Sequence, residues 1–103
     1  MLDTLYQEIL ERKKVPKEGS YTNYLFDQGL DKILKKVGEE ATEVIIAAKN
    51  NQAEVITETS DLIYHMLVLL VEQGVTLEEI KTELMKREGK LSKMKERKQI
   101  DEL

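Results

Sequence analysis

The spacing of the apolar residues is the feature that most constrains how this chain can fold. Apolar side chains recur every three to four positions through most of the 103 residues. This period places them on one face of an α-helix, whereas a half-buried β-strand requires alternation of apolar and polar residues. We find no such alternation, no internal repeat and no low-complexity linker. The sequence therefore predicts an all-α fold in a single domain spanning 1–103.

Residues that favour caps and turns divide the chain into the predicted helices. In chain order, the boundaries are the turn at 16–19, the cap Ser20, the terminator Gly29, the connection at 50–51, the terminator Gly74 and the capping box at 76–79. Asn51 and Glu54 also have capping-box spacing. The long helices lie at about 31–49 and 51–73. Because the connections are short, we expect antiparallel neighbours in a bundle.

Each long helix carries an apolar stripe that is predicted to face the core. The first stripe is Ile33, Leu34, Val37, Ala41, Val44, Ile45 and Ala48, and the second is Val55, Ile56, Leu62, Ile63, Met66, Leu67, Leu69 and Leu70. A domain this small buries only about 60–65% of the surface of its unfolded chain, so pairing with a second copy often adds stability.

Two acidic clusters lie on the long helices. Glu40 and Glu43 share one flank of the first stripe, and Glu58 and Asp61 share the corresponding flank of the second, because each helical residue advances by about 100°. If the two stripes pack in antiparallel fashion, the four carboxylates converge at the edge of the core. Like charges so close together would repel one another, so the convergence requires a cation.

Carboxylate oxygens of this kind suit Mg²⁺ or Mn²⁺, which also accept phosphate oxygens. Such a site polarises a phosphoryl group and neutralises the leaving oxygen in phosphoanhydride cleavage. The alternative is an ordinary solvated helix face, which is the usual meaning of Glu-x-x-Glu when it occurs alone. The second cluster argues against this alternative, because the weak helix formers Thr59, Ser60 and Asp61 interrupt an apolar helix.

Several residues near the acidic clusters are candidates for contact with a nucleotide substrate. They are Lys32, Lys35, Lys36, Tyr24 and His65. The lysines either solubilise the helix or meet a polyphosphate. The tyrosine, like Tyr21, is expected in the core or an interface, with base stacking as the alternative. The histidine is expected to be a hydrogen-bonded neighbour of the site rather than a metal ligand. Gly38 permits either a close helix approach or room for a ligand.

The composition argues against several other classes of protein. A formal net charge of −4 disfavours a general nucleic-acid binder, whose affinity depends on excess Lys and Arg. With no cysteine and one histidine, disulfides, thiolate sites and sites with two imidazoles are excluded. The apolar run at 66–71 is too short to cross a bilayer, and the N-terminus does not resemble a signal peptide. We therefore expect a cytoplasmic protein without nucleic-acid or membrane partners.

Two segments resemble the motifs of a known enzyme family. Residues 36–49, KVGEEATEVIIAAK, resemble the signature helix of the phosphoribosyl-ATP pyrophosphohydrolases, and 58–65, ETSDLIYH, resemble their second motif. The pair E-E-x-x-E and E-x-x-D is shared more widely by the MazG-like nucleotide pyrophosphohydrolases. Residues 20–25, SYTNYL, and 87–89, REG, narrow the resemblance to the histidine-pathway branch.

The resemblance implies a MazG-like bundle of about four to five helices, completed by homodimerisation. It implies hydrolysis of phosphoribosyl-ATP to phosphoribosyl-AMP and pyrophosphate, the second step of histidine biosynthesis. It also implies a metal, Mg²⁺ or Mn²⁺, held by Glu40, Glu43, Glu58 and Asp61, with Glu39 as a catalytic accessory. Arg87 is a further candidate for substrate binding. The cyclohydrolase that acts next is expected to be a separate protein.

The charged extension predicted at 90–103 is rich in lysine and departs from the pattern of small residues and serine typical of the family. Two alternative functions stay open. A house-cleaning enzyme that hydrolyses free nucleoside triphosphates would use the same metal site. A helical dimerisation module without catalysis would bind no Mg²⁺.

Overall fold

The computed structural model describes residues 1–90, and in this range it contains helices and no strand. The helices are α1 (Leu2–Lys14), α2 (Tyr21–Gln28), α3 (Leu30–Asn50), α4 (Gln52–Gln73) and α5 (Leu77–Arg87). The predicted all-α class is therefore confirmed. Most of the predicted charged extension, from residue 91 onward, lies outside the described residues. Within residues 1–90, the helices are too short or too polar to cross a membrane.

Local capping interactions set the helix boundaries, largely as predicted. The Ser20 hydroxyl accepts a hydrogen bond from the Asn23 backbone N–H, and Gly74 ends α4 in the left-handed conformation at φ 72°. A reciprocal capping box begins α5. At Asn51 the structure differs from the prediction, because its side chain accepts from the Ala53 N–H at 2.8 Å and no reciprocal bond from Glu54 is formed within residues 1–90.

Helices α3 and α4 form an antiparallel hairpin with the most extensive helix–helix contact in the described chain. Only Asn51 separates the two helices. Helix α1 packs on α4, and α2 packs mainly on α3 and α1. The core lies where these helices meet, and its buried members are Tyr6, Ile9, Leu25, Ile33, Leu67, Val68 and Val71. The hairpin is therefore the frame on which the other helices are arranged.

One side of this hairpin exposes large apolar residues that the sequence pattern assigned to the core. These residues, which we call the open face, are Leu34, Ile45, Ile56, Ile63 and Met66, and their exposed fractions run from 39% to 68%. Ala48 is exposed as well. The prediction that they face the core of this chain was wrong. Helical period identifies an apolar stripe, but it does not specify what covers the stripe.

The connection between α1 and α2 is held by a buried asparagine. Asn23 is 7% exposed. Its Oδ1 accepts from the Lys17 backbone N–H at 2.7 Å, and its Nδ2 donates to the Arg12 carbonyl at 2.6 Å. These bonds attach the first turn of α2 to the end of α1. They thereby fix the position from which Tyr21 approaches α4.

Candidate metal centre

Three of the predicted metal ligands meet at the side of the α3–α4 hairpin. The carboxylate oxygens of Glu40, Glu58 and Asp61 lie within 4.8 Å of one another, and we call this group the acidic cluster. The hairpin explains the convergence. In antiparallel helices joined at Asn51, residues at equal distances from the connection lie side by side. Glu40 lies 11 positions before Asn51 and Asp61 lies 10 positions after it.

Glu43 and Glu39, the other two predicted acids, are exposed and lie outside the acidic cluster. Glu43 nevertheless lies near enough for its negative charge to act on Glu58. Glu39 takes part in an ion pair with Lys36, at 3.9 Å between Oε1 and Nζ. The structure thus brings three of the five acids together and leaves two at the margin.

Mutual repulsion makes the acidic cluster a site of unfavourable negative charge. Partial desolvation raises the pKa of Glu58, and the charges of Asp61, Glu43 and Glu40 raise it further. Each of these effects disfavours the ionised carboxylate. A proton or a bound cation would relieve the repulsion. The cluster therefore has the electrostatic character of a cation-binding site.

Lys36 supplies a positive charge beside the acidic cluster. Its Nζ lies 3.6 Å from Glu40 Oε1, one helical turn away. Desolvation alone would lower the pKa of Lys36, but the nearby oxygen of Tyr21 and the carboxylates of Glu39 and Glu40 outweigh it, so the pKa is raised. Lys36 is thus a firmly charged ammonium group at the edge of the acidic cluster.

The other two candidate lysines lie farther from the acidic cluster. Lys35 lines a shallow depression of 410 Å³ together with Gly38, Glu39 and Glu43. Lys32 Nζ lies 5.9 Å from the centroid of the Tyr24 ring, a cation–π arrangement. Tyr24 is 44% exposed, so one part of its ring remains accessible.

Gly38 has free space around it. A Cβ atom built at this position meets no heavy atom within 4 Å in residues 1–90. Close approach of another helix within residues 1–90 therefore does not account for the glycine. Of the two predicted roles, room for a ligand is the one that this geometry permits.

His65 is buried, and both of its ring nitrogens are occupied. Nδ1 donates to the Asp61 carbonyl at 2.7 Å, and Nε2 lies 3.0 Å from the Tyr21 hydroxyl. A direct substrate contact would require this ring to give up one of the two bonds. Tyr21 was expected in the core or an interface, with base stacking as the alternative, and its contact with His65 was not predicted. The two partners are 44 positions apart, and no local spacing signals their contact.

Arg87 lies at the end of α5, where its Nε donates to Glu83 at 3.2 Å. A cavity of 640 Å³ lies elsewhere, between α1, the α1–α2 connection and α4, and Arg12, Lys17 and Tyr64 contribute to its lining. The acidic cluster takes no part in lining it within residues 1–90. We assign the candidate centre to the cluster nevertheless, since volume alone supplies no chemistry.

Comparison with known proteins adds independent information on the chain. Residues 2–88 match the family model described as phosphoribosyl-ATP pyrophosphohydrolase. A protein of Listeria monocytogenes serotype 4b (strain CLIP80459) named phosphoribosyl-ATP pyrophosphatase is 67% identical over 103 residues, covering 100% of both chains. Proteins with the same name from Streptococcus sanguinis (strain SK36) and Streptococcus gordonii are 66% and 65% identical, covering 98% and 99% of both chains. With its all-helical architecture, this similarity shows that the chain belongs to the phosphoribosyl-ATP pyrophosphohydrolase family.

Proposed function

We propose that this protein hydrolyses phosphoribosyl-ATP to phosphoribosyl-AMP and pyrophosphate in histidine biosynthesis, with Mg²⁺ or Mn²⁺ held at the acidic cluster. The metal is supported by one observation above all, the approach of three carboxylates from two helices to within 4.8 Å of one another. The substrate is supported by the names of full-length relatives that are 65% to 67% identical to this chain.

The donor set fits a small, hard cation. Each member of the acidic cluster offers carboxylate oxygen, the ligand type that Mg²⁺ and Mn²⁺ prefer. The three carboxylates approach from two helices, and their oxygens already lie within 4.8 Å of one another, so they could share one bound cation. When bound, the ion would polarise a phosphoryl oxygen and offset charge on the leaving pyrophosphate.

The five acids are proposed to contribute to metal binding to different extents. Glu40, Glu58 and Asp61 are the primary ligands, because their oxygens already converge. Glu43 is the proposed fourth ligand, since its charge already acts on Glu58. Glu39 is an accessory acid at the margin of the site, where it also restrains Lys36.

The basic and aromatic residues are proposed to bind the substrate. Lys36 is now paired with Glu40, and its ammonium group becomes available to a phosphate oxygen once that carboxylate binds a cation. Lys35 and Lys32 extend the positive charge along α3 towards Tyr24, whose exposed ring offers a surface for the adenine. Contacts of the substrate with His65 and Arg87 stay predictions.

We further propose that the protein forms a homodimer through the open face. Five large apolar side chains are exposed there on two adjacent helices. Large contiguous apolar patches on a protein surface mark sites of interaction with another molecule. The separate cyclohydrolase and the cytoplasmic location stay predictions.

A direct assay tests the proposed reaction. Purified protein with Mg²⁺ should release pyrophosphate from phosphoribosyl-ATP, and a chelator should abolish the release. Phosphoribosyl-AMP is the matched control, because it lacks the anhydride. No release in the presence of metal would contradict the proposal, and a preference for deoxynucleoside triphosphates would favour the house-cleaning alternative. A dimerisation module would show no rise in melting temperature with Mg²⁺, whereas binding to the folded state must stabilise it.

A further inference from the structure

The part of α4 that carries Glu58 and Asp61 is intrinsically a weak helix. Thr57, Thr59, Ser60 and Asp61 all have lower helix propensity than the unbranched residues. The hydroxyls of Thr57 and Ser60 also donate to carbonyls one turn earlier, at 3.5 and 2.8 Å. Such side-chain bonds slightly destabilise and bend helices. A segment of this kind, which must also hold repelling carboxylates, needs support from outside the helix.

The first turn of α2 provides that support through two adjacent side chains. The Tyr21 hydroxyl contacts His65 Nε2 at 3.0 Å, and the Thr22 hydroxyl is hydrogen-bonded to the Tyr64 hydroxyl. Both partners lie on α4 in the turn that follows Asp61. Because α2 otherwise packs mainly on α1 and α3, these bonds are what connects the start of α2 to α4 at this point.

The donor and the acceptor in each of these hydrogen bonds follow from the chemistry of the groups involved. The Asp61 carbonyl only accepts, so His65 Nδ1 carries the proton in the bond of 2.7 Å. In the neutral ring Nε2 is then the acceptor, and the Tyr21 hydroxyl donates to it. The ring is 6% exposed, which leaves it little freedom to adopt another arrangement. The tyrosine hydroxyl is thereby linked, through one imidazole, to the backbone of a proposed metal ligand.

The Tyr21 ring is held by aromatic neighbours independently of its hydroxyl. It stacks on Tyr24 and Tyr64 at centroid distances of 5.9 and 6.2 Å, and it meets His65 edge-on at 5.8 Å. Its oxygen also lies close enough to Lys36 to help raise the pKa of that lysine. Removal of the hydroxyl alone should therefore leave the ring in place and break only the polar connection.

We propose that Tyr21 and His65 are positioning residues that hold the Asp61 turn of α4 in the conformation that binds the divalent cation. This inference rests on the metal centre of the proposed function. Neither residue needs to touch the ion or the substrate. Their effect on the site passes through the Asp61 carbonyl and the orientation of the carboxylate on the same residue.

The test compares the Mn²⁺ and Mg²⁺ dissociation constants of variants by calorimetric titration without nucleotide. Tyr21→Phe should weaken metal binding by roughly tenfold, the lower end of the effects seen when outer partners of metal ligands are removed. It should lower kcat more than it raises KM. The matched control is Tyr6→Phe, which breaks a bond of 2.8 Å from a buried tyrosine to the Val75 carbonyl. The control should lower the melting temperature and leave the metal dissociation constant unchanged.

A second variant separates the two bonds of His65. His65→Asn retains a donor for the Asp61 carbonyl, as Asn50 Nδ2 does for the Ile46 carbonyl at 2.7 Å, but it cannot reach Tyr21. It should therefore weaken metal binding as Tyr21→Phe does, and the double variant should lose no more than either single variant.

The outcomes distinguish this inference from the proposed function. If the unsubstituted protein binds no metal, the proposed metal centre fails and the positioning role fails with it. If it binds metal and Tyr21→Phe binds equally well with unchanged kcat, only the positioning role is overturned. An equal loss in Tyr6→Phe would also overturn it, because the effect would then reflect general stability.

Discussion

The open face allows the predicted dimer to be tested with a single truncation, Ile56→Ala. This residue is 68% exposed. Full burial of an isoleucine side chain is worth about 1.5–3 kcal/mol, so about 1–2 kcal/mol per copy remains to be gained on association. A twofold dimer contains the residue twice, and the truncation should therefore cost about 2–4 kcal/mol of association free energy. This corresponds to roughly 30- to 700-fold weaker association.

Sedimentation equilibrium over a range of concentrations measures this effect directly. Met85→Ala on α5 is the matched control, since Met85 is 66% exposed but lies outside the open face. Its dimer dissociation constant should equal that of the unsubstituted protein. The reasoning is refuted if both variants weaken association equally, or if the unsubstituted protein is a monomer at every concentration. Circular dichroism should show unchanged helical content in both variants, because neither side chain belongs to the core.

Three further predictions concern the site and the helices. Asp61→Asn should abolish metal-dependent pyrophosphate release without loss of helical content. Asp31→Asn, the same change at an exposed position of α3, should retain activity. Equal rates of release by the two variants would mean that the ligand assignment is wrong. Gly38→Ala should raise the free energy of unfolding by about 1 kcal/mol in urea titrations, because alanine is the better helix former and its Cβ meets no atom within 4 Å. A lower free energy of unfolding would show that the space around residue 38 is not free. Hydrogen bonds from the backbone and hydroxyl of Thr76 lower the pKa of Glu79 below its ordinary 4.5, so its contribution to stability is present above pH 4.5 and is lost as the pH falls through the lowered pKa. The difference in melting temperature between this protein and Glu79→Gln should accordingly shrink in acid, and a difference that grows in acid would contradict the assignment.

The helix boundaries were the part of the fold that the sequence predicted best. A cap depends on residues three or four positions apart, so its signal is contained in a short segment. Ser20 and the capping box of Thr76 and Glu79 behave as expected for this reason. The exception at Asn51 has a local cause too, because its side chain bonds to the second residue of α4 rather than the third.

The orientation of α4 was harder to predict. Val68 and Val71 are buried, at 0% and 4% exposed, although neither belonged to the predicted stripe. Ile56 and Ile63 belonged to it and are exposed. The second half of α4 is apolar on nearly every side. The spacing of its apolar residues therefore predicts a helix but does not predict which side packs against α1. That choice depends on tertiary packing, which no short segment encodes.

The candidate site likewise has one part that the sequence predicts and one part that it does not. Glu40 and Asp61 could be assigned to one edge from the sequence, because an antiparallel hairpin joined at one residue determines which positions lie side by side. The contact between Tyr21 and His65 could not, since α2 reaches α4 only through the packing of the intervening helices. The proposed metal ligands thus follow from register, whereas the proposed positioning residues follow from the complete fold.

The charge of the site connects its stability with its proposed chemistry. The carboxylates of Glu40, Glu58 and Asp61 carry a formal charge of −3 when all three are ionised, and Lys36 pairs with one of them, Glu40. A divalent cation offsets more of this charge than a monovalent ion or a single proton does. Because the cluster lies at the partly exposed edge of the hairpin, water limits the cost of holding the charge before an ion binds. In the proposed function, a cation bound by Glu40 would weaken the ion pair with Lys36 and leave its ammonium group available to the phosphates of the substrate. One ammonium group would thus have two partners in turn, the Glu40 carboxylate before the metal binds and the substrate phosphates afterwards.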